Sequence, residues 1–282
     1  MTNCFFVSDL HGKIERYQKL FSLIEHEKPL AVFFGGDLLP HMMRKSAKYD
    51  DFVLDFLFPQ LRELQKNMAD RYPEIFLILG NDDPRIEEER FMEAGSSGLF
   101  QYINQKKAYL GKHPVFGYCF VPPTPFQLKD WEKYDVSRYV DPGCVHPTEG
   151  FRTKEPAWDP RFATIKNDLD ELTLNQDVAN AIFLFHSPPY QTSLDRAALD
   201  GKMIDHVPMD VHVGSIAIQR FIEEKQPLIT LHGHIHESTR LTGQWSQKIG
   251  KTLSCNASHD GSELSVIKFN PDNLQAISRL II

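Results

Sequence analysis

Five short apolar runs constrain this chain more than any other feature, because each one stops at a cluster of Asp, His or Asn. Cys4–Val7 leads into Ser8-Asp9-Leu10-His11-Gly12, Leu30–Phe34 into Gly35-Gly36-Asp37, and Ile75–Leu79 into Gly80-Asn81-Asp82-Asp83. Ala181–Phe185 leads into His186, and Leu228–Leu231 into His232-Gly233-His234-Ile235-His236. Runs this short, without polar alternation, suit strands covered on both faces. Ligands of open α/β sheets bind beyond the carboxyl ends of the strands. The pattern therefore brings Asp9, His11, Asp37, Asn81, His186, His234 and His236 to one rim.

Amphipathic segments lie between the runs. Lys13–Glu27 carries Ile14, Tyr17, Leu20, Phe21 and Ile24 at helical spacing. Asp50–Met68 has the same pattern and is expected to kink or divide at Pro59. Arg161–Leu174 and Ser215–Lys225 read as later helices. Strand–helix alternation predicts an α/β architecture with right-handed crossovers. Lys251–Asn256, Leu264–Phe269 and Ala276–Ile282 read as closing antiparallel strands. Two long loop insertions, at about 122–160 and 187–214, interrupt what reads as a single domain over 1–282. The first holds seven of the 18 prolines. Its Phe126, Trp131, Tyr134 and Tyr139 suit a small core of its own, or a stacking lid.

The net charge of −7 and the lack of a basic run disfavour a nucleic-acid partner. The apolar runs fall well short of the ~18 residues a membrane span needs. Cys4, Cys119, Cys144 and Cys255 are widely spaced and form no CxxC pair. Together with an N-terminus lacking a basic and apolar leader pattern, they point to a reducing, cytoplasmic setting. Oligomeric state leaves no mark in the sequence.

The candidate ligands mix carboxylate, imidazole and amide oxygen. That set suits divalent or trivalent Mn, Fe, Zn or Co better than an all-oxygen calcium or magnesium cage. Seven side chains exceed what one tetrahedral ion uses. Two ions sharing a carboxylate use them all. In extended backbone, residues i and i+2 point the same way. Asp9 with His11, and His234 with His236, are expected to converge on that account.

The ordered series Asp9-Leu10-His11, Gly36-Asp37, Gly80-Asn81-Asp82-Asp83, His186 and Gly233-His234-Ile235-His236 resembles the calcineurin-like metallophosphoesterase superfamily. The resemblance implies a four-layer αββα sandwich of two mixed sheets. It implies one metal on Asp9, His11 and His236, another on Asn81, His186 and His234, and Asp37 between them. It further implies hydrolysis of a small phosphate ester by a metal-bridging hydroxide. Many members carry His where this chain has Asp82. Asp82 is expected to orient water or a ligand, or to cap a helix before Pro84. His212 is then the first candidate for a substitute acid, ahead of His146, His206, His232 and His259. An extra carboxylate beside the metals favours a singly charged phosphodiester over a doubly charged monoester. The competing readings are a protein phosphatase and a catalytically weak metal-binding scaffold.

Overall fold

The structure is a computed structural model and describes residues 3–41 and 49–282. The first three apolar runs form β1 (Cys4–Val7), β2 (Ala31–Gly35) and β3 (Glu74–Ile78), parallel neighbours in one sheet. A short β4 (Gln101–Tyr102) continues that sheet. The second sheet contains β5 (Lys106–Leu110), β6 (His113–Tyr118) and β7 (Ile182–Phe185). A separate hairpin pairs β8 (Met203–Ile204) with β9 (Val207–Pro208). The second sheet is completed by β10 (Ile229–His232), β11 (Ser246–Ile249) and β12 (Thr252–Asn256). The chain then returns to the first sheet with β13 (Ser265–Phe269) and β14 (Ser278–Ile281). The strand orders are β14-β13-β1-β2-β3-β4 and β11-β12-β10-β7-β6-β5.

Both sheets are mixed. β13 runs antiparallel to β1, β5 to β6 and β11 to β12, while the central strands are parallel. The sheets meet through β2 against β7 and β3 against β6. The main helices are α1 (Ile14–Glu27), α2 (Phe58–Met68), α3 (Glu88–Ser96), α4 (Ile165–Leu172) and α5 (Ile216–Lys225), followed by the short α6 (Ser238–Thr242). α1 packs beside α2, and α4 beside α5. The expected αββα sandwich of two mixed sheets is the observed fold. No helix among the described residues is long and apolar enough to cross a membrane.

Several local expectations change. Lys251–Asn256 is not simply an antiparallel closing strand, because β12 runs parallel to β10 and antiparallel only to β11. Its carboxyl end therefore joins the functional rim. The helix read over Arg161–Leu174 is shorter and starts after Thr164, whose hydroxyl accepts the Asn167 N–H at 3.2 Å. The Asp50–Met68 helix is divided, with one wide π turn at Val53–Leu57 ahead of α2. Pro59 then falls in the first turn of α2, where its missing N–H costs little.

The insertion at 122–160 forms no isolated core. Trp131 is fully buried, belongs to the main hydrophobic core and packs edge-on against Phe120 at 5.5 Å. Its indole N–H donates to the Asp83 carbonyl at 2.7 Å, tying the insertion to the loop after β3. Phe126 and Tyr139 are exposed instead. α3 and β4–β6 lie outside the apolar runs and helical patterns visible in the sequence. β5 is a polar edge strand, so its sequence lacks the apolar signal of its neighbours.

Candidate metal centre

β1, β2 and β3 are parallel neighbours, so their carboxyl ends align. β7, β10 and β12 do the same in the facing sheet. Asp9, His11, Asp37 and Asn81 follow the first triplet, and His186, His234, His236 and Ser258 follow the second. All seven residues expected from the sequence meet where the two edges face each other.

The backbone brings them there by a different route from the one expected. Asp9, His11, Asp37 and His234 have φ of 58°, 47°, 52° and 73°. Extended backbone is therefore not what aligns the two pairs. Each chain turns sharply through a left-handed residue as it leaves its strand. Such residues cost about 1–2 kcal/mol each when they carry a side chain. Cross-bonds hold them in place. The His11 N–H donates to the Asp37 carbonyl at 2.8 Å, the Asp9 N–H to the Gly36 carbonyl at 3.0 Å, and the His234 N–H to Asp9 Oδ1 at 3.0 Å. Gly80 allows a close approach, since a Cβ there would overlap both the carboxylate and the backbone nitrogen of Asp37.

Two donor groups result. Asp9, His11, Asp37 and His236 place one ligand atom each within 4.8 Å of one another, and so do Asp37, His186 and His234. Asp37 is common to both. Asn81 joins the second group, with Oδ1 3.0 Å from His186 Nε2. His186 Nδ1 donates to the Gly35 carbonyl at 2.7 Å, which leaves Nε2 as a lone-pair donor facing Asp37 at 3.3 Å. Oxygen and nitrogen donors in two groups that share a buried carboxylate fit a pair of cations.

The electrostatics agree. Burial opposes charge on Asp9, yet the His236 bond and the nearby imidazoles hold its carboxyl well below the usual range. Against the same burial, His186 keeps Asp37 down at about 2. In return, Asp37 outweighs burial to lift His186 to about 10, so a cation bound there would take the place of the Nε2 proton. Burial, and then the charge on His186, pushes His234 down to about 3, leaving it a neutral imidazole suited to ligation.

Three supporting residues escaped the sequence reading. Ser258 donates to Asp9 Oδ2 at 2.6 Å. Its signal was its place just beyond β12, a strand whose rim-facing end the antiparallel reading concealed. Arg16 is buried in α1, and its guanidinium donates to the Asp9 carbonyl at 2.7 Å and the Gly261 carbonyl at 2.6 Å. Asp83 is fully buried and accepts the N–H groups of Leu38, Leu39 and Gly80 at 3.1, 2.7 and 2.9 Å. It binds the Asp37 loop to the Asn81 loop.

Asp82 does not cap a helix. The turn at Arg85–Glu87 starts from Pro84 with no side-chain cap. The Asp82 carboxylate instead lies 3.2 Å from Asn81 Nδ2 and 3.7 Å from His11 Nδ1. Burial, and then the charge on Asp37, raises it to about 7. A cavity of about 490 Å³ opens here, lined by His11, Lys13, Pro40, His41, Asp82 and His236.

His212 joins neither donor group and does not line that cavity. Its Nδ1 lies 2.7 Å from Asp195, a buried carboxylate that also accepts backbone N–H bonds from Gln191, Thr192 and Gly214. His232 is buried between the Ser187 carbonyl and the Thr230 hydroxyl, at 2.9 and 2.7 Å, and stacks on Phe185. Both of its nitrogens are used, so it serves packing. His146 meets the Tyr134 hydroxyl at 3.3 Å, His259 meets Glu263 at 3.1 Å, and His206 is exposed at the β8–β9 turn.

The sequence model of the calcineurin-like phosphoesterases matches residues 3–238. The chain belongs to that family, whose members hydrolyse phosphoric esters with two divalent metal ions. No curated protein matches the chain. Among solved structures, TT1561 of Thermus thermophilus aligns with a TM-score of 0.55 at 16% identity, over 99% of this chain and 98% of the other. A dimetal phosphatase from Danio rerio aligns with a TM-score of 0.51 at 9% identity, over 94% and 91%. At these identities the likeness is one of fold.

Proposed function

We propose that residues 1–282 form one metallophosphoesterase domain that cleaves small phosphodiesters. The observation that carries the reading is the pair of donor groups sharing Asp37, with a carboxylate, Asp82, at their mouth. Asp9, His11 and His236 would hold one metal, and Asn81, His186 and His234 the other, with Asp37 common to both. The mixed donors favour Mn, Fe, Zn or Co. When bound, such a pair lowers the pKa of water and neutralises phosphoryl charge. The four free cysteines suit a cytoplasmic setting.

Charge selects the substrate class. Two dications bring four positive charges, and Asp9, Asp37 and an ionised Asp82 return three. The dications would also pull the Asp82 carboxyl back below its raised value, making it a poor proton donor at neutral pH. The residual charge matches a phosphodiester. Asp82 orients water or the ester through its place beside Asn81 and His11, and does not protonate the leaving group.

With manganese, an activated aryl phosphodiester is expected to be cleaved faster than the matching monoester. Asp82→His is expected to narrow that preference by about tenfold, by restoring a proton donor worth 10²–10⁴ in such reactions. Equal rates on both esters in the wild-type enzyme would overturn the reading. His212, held by Asp195 outside the lining of the cavity that Asp82 lines, would be the donor only to a poor leaving group that extends beyond it. His212→Gln is then expected to slow alkyl esters more than aryl esters, and an equal effect on both would remove it from the reaction.

A further inference from the structure

We propose that Lys13 determines specificity by receiving a second anionic group of the substrate, a phosphoryl group carried beyond the phosphodiester that is cleaved. The inference rests on the phosphodiesterase reading and adds the substrate's remaining part. The cavity of about 490 Å³ lies within the ~300–1,000 Å³ range of sites that take ligands far larger than one phosphate. His11 and His236 occupy one part of its lining and belong to the metal-holding groups. Among the described residues, Lys13, Pro40, His41 and Asp82 remain for the outer part of a substrate. Of the described residues in that lining, Lys13 is the Lys or Arg.

The backbone under Lys13 is fixed. The Gly12 N–H donates to the Leu38 carbonyl at 2.9 Å, and the Lys13 N–H to the Leu10 carbonyl at 3.0 Å. The Lys13 carbonyl accepts the N–H groups of Arg16 and Tyr17, so α1 begins at this wall. The partial positive charge of a helix start therefore adds to that of the ammonium. Glu15, in the same first turn, is not part of the lining. The Lys13 side chain is exposed, so its point charge on a flexible stem can reach an anion in the cavity.

Charge balance gives the reason for a separate cation. Once Asp9, Asp37 and Asp82 are counted, the metal pair retains only enough charge for the singly charged ester. A second anion near Asp82 would be repelled. Lys13 supplies the compensating charge elsewhere on the same lining.

The test uses two esters with the same leaving group, p-nitrophenyl ethyl phosphate and p-nitrophenyl 2-phosphoethyl phosphate, on the metal-loaded enzyme. The ratio of kcat/KM, phosphorylated over plain, is expected to fall about tenfold in Lys13→Ala and to be largely kept in Lys13→Arg. Calorimetry supplies a readout without turnover. Ethane-1,2-diyl bisphosphate is expected to bind the wild type more tightly than ethyl phosphate does, and Lys13→Ala is expected to erase that difference. An unchanged ratio together with an unchanged affinity difference in Lys13→Ala would overturn the proposal. A protein that binds two metals but cleaves neither ester would sink the phosphodiesterase reading alone, and the affinity difference would still decide the role of Lys13.

Discussion

Asp37→Asn is expected to lower the bound metal from two ions per chain to one or none, and to cut phosphoesterase activity by at least about a thousandfold. The size of the effect follows from the shared position. Every other donor belongs to one group, whereas Asp37 belongs to both. An amide removes the negative charge that two cations would share, and it can offer only one oxygen. The fold should survive, because Asn keeps an acceptor for the Asp82 N–H, which now reaches Asp37 Oδ1 at 2.8 Å. Metal content by elemental analysis, with circular dichroism as the folding control, reads the result. Retention of two tightly bound metals would refute the bridging assignment. Asn81→Ala is the useful contrast, since it touches one group and should weaken one ion selectively.

Asp83→Ala is expected to destabilise the metal-free protein by about 3–5 kcal/mol. The carboxylate is fully buried and accepts three backbone N–H groups from two loops. Removing it strands those donors where water does not reach, at about 1–3 kcal/mol each before relaxation. Burial, and then the charge on Asp37, raises this carboxyl to about 8, so it contributes mainly as a hydrogen-bond acceptor and less as a charge. Asp83→Asn keeps one oxygen and is expected to fall between wild type and Ala. Urea denaturation of chelator-treated protein measures this without the contribution of bound metal. A loss below about 1 kcal/mol would mean that the loops are held together by other contacts.

Asp37 and Asp83 differ in how far their roles are visible in the sequence. The seven residues that meet at the rim were legible because each follows an apolar run in a fixed order. The function of Asp83 was not legible, although it stands beside Asp82 in the same cluster. Its role lies in accepting N–H groups from residues more than 40 positions away, and no local pattern encodes that. The departure at Asp82 could be read directly, but its surroundings could not. Proximity to Pro84 suggested a cap, whereas the folded chain sets its carboxylate beside Asn81 and His11.

What the sequence by itself determined was the order of strands and donors, since apolar runs and the polar clusters ending them are local properties of the chain. It also determined the chemistry of the donor set. Only the tertiary structure decided how the donors converge. The left-handed turns at Asp9, His11, Asp37 and His234 replace the extended geometry that spacing suggested, and bonds across both sheets stabilise them. Tertiary structure likewise put Ser258 against Asp9, by running β12 parallel to β10. It put Trp131 into the main core and His212 against Asp195. Strand direction and long-range bonding depend on which segments meet in space, and a residue's neighbours along the chain do not specify that.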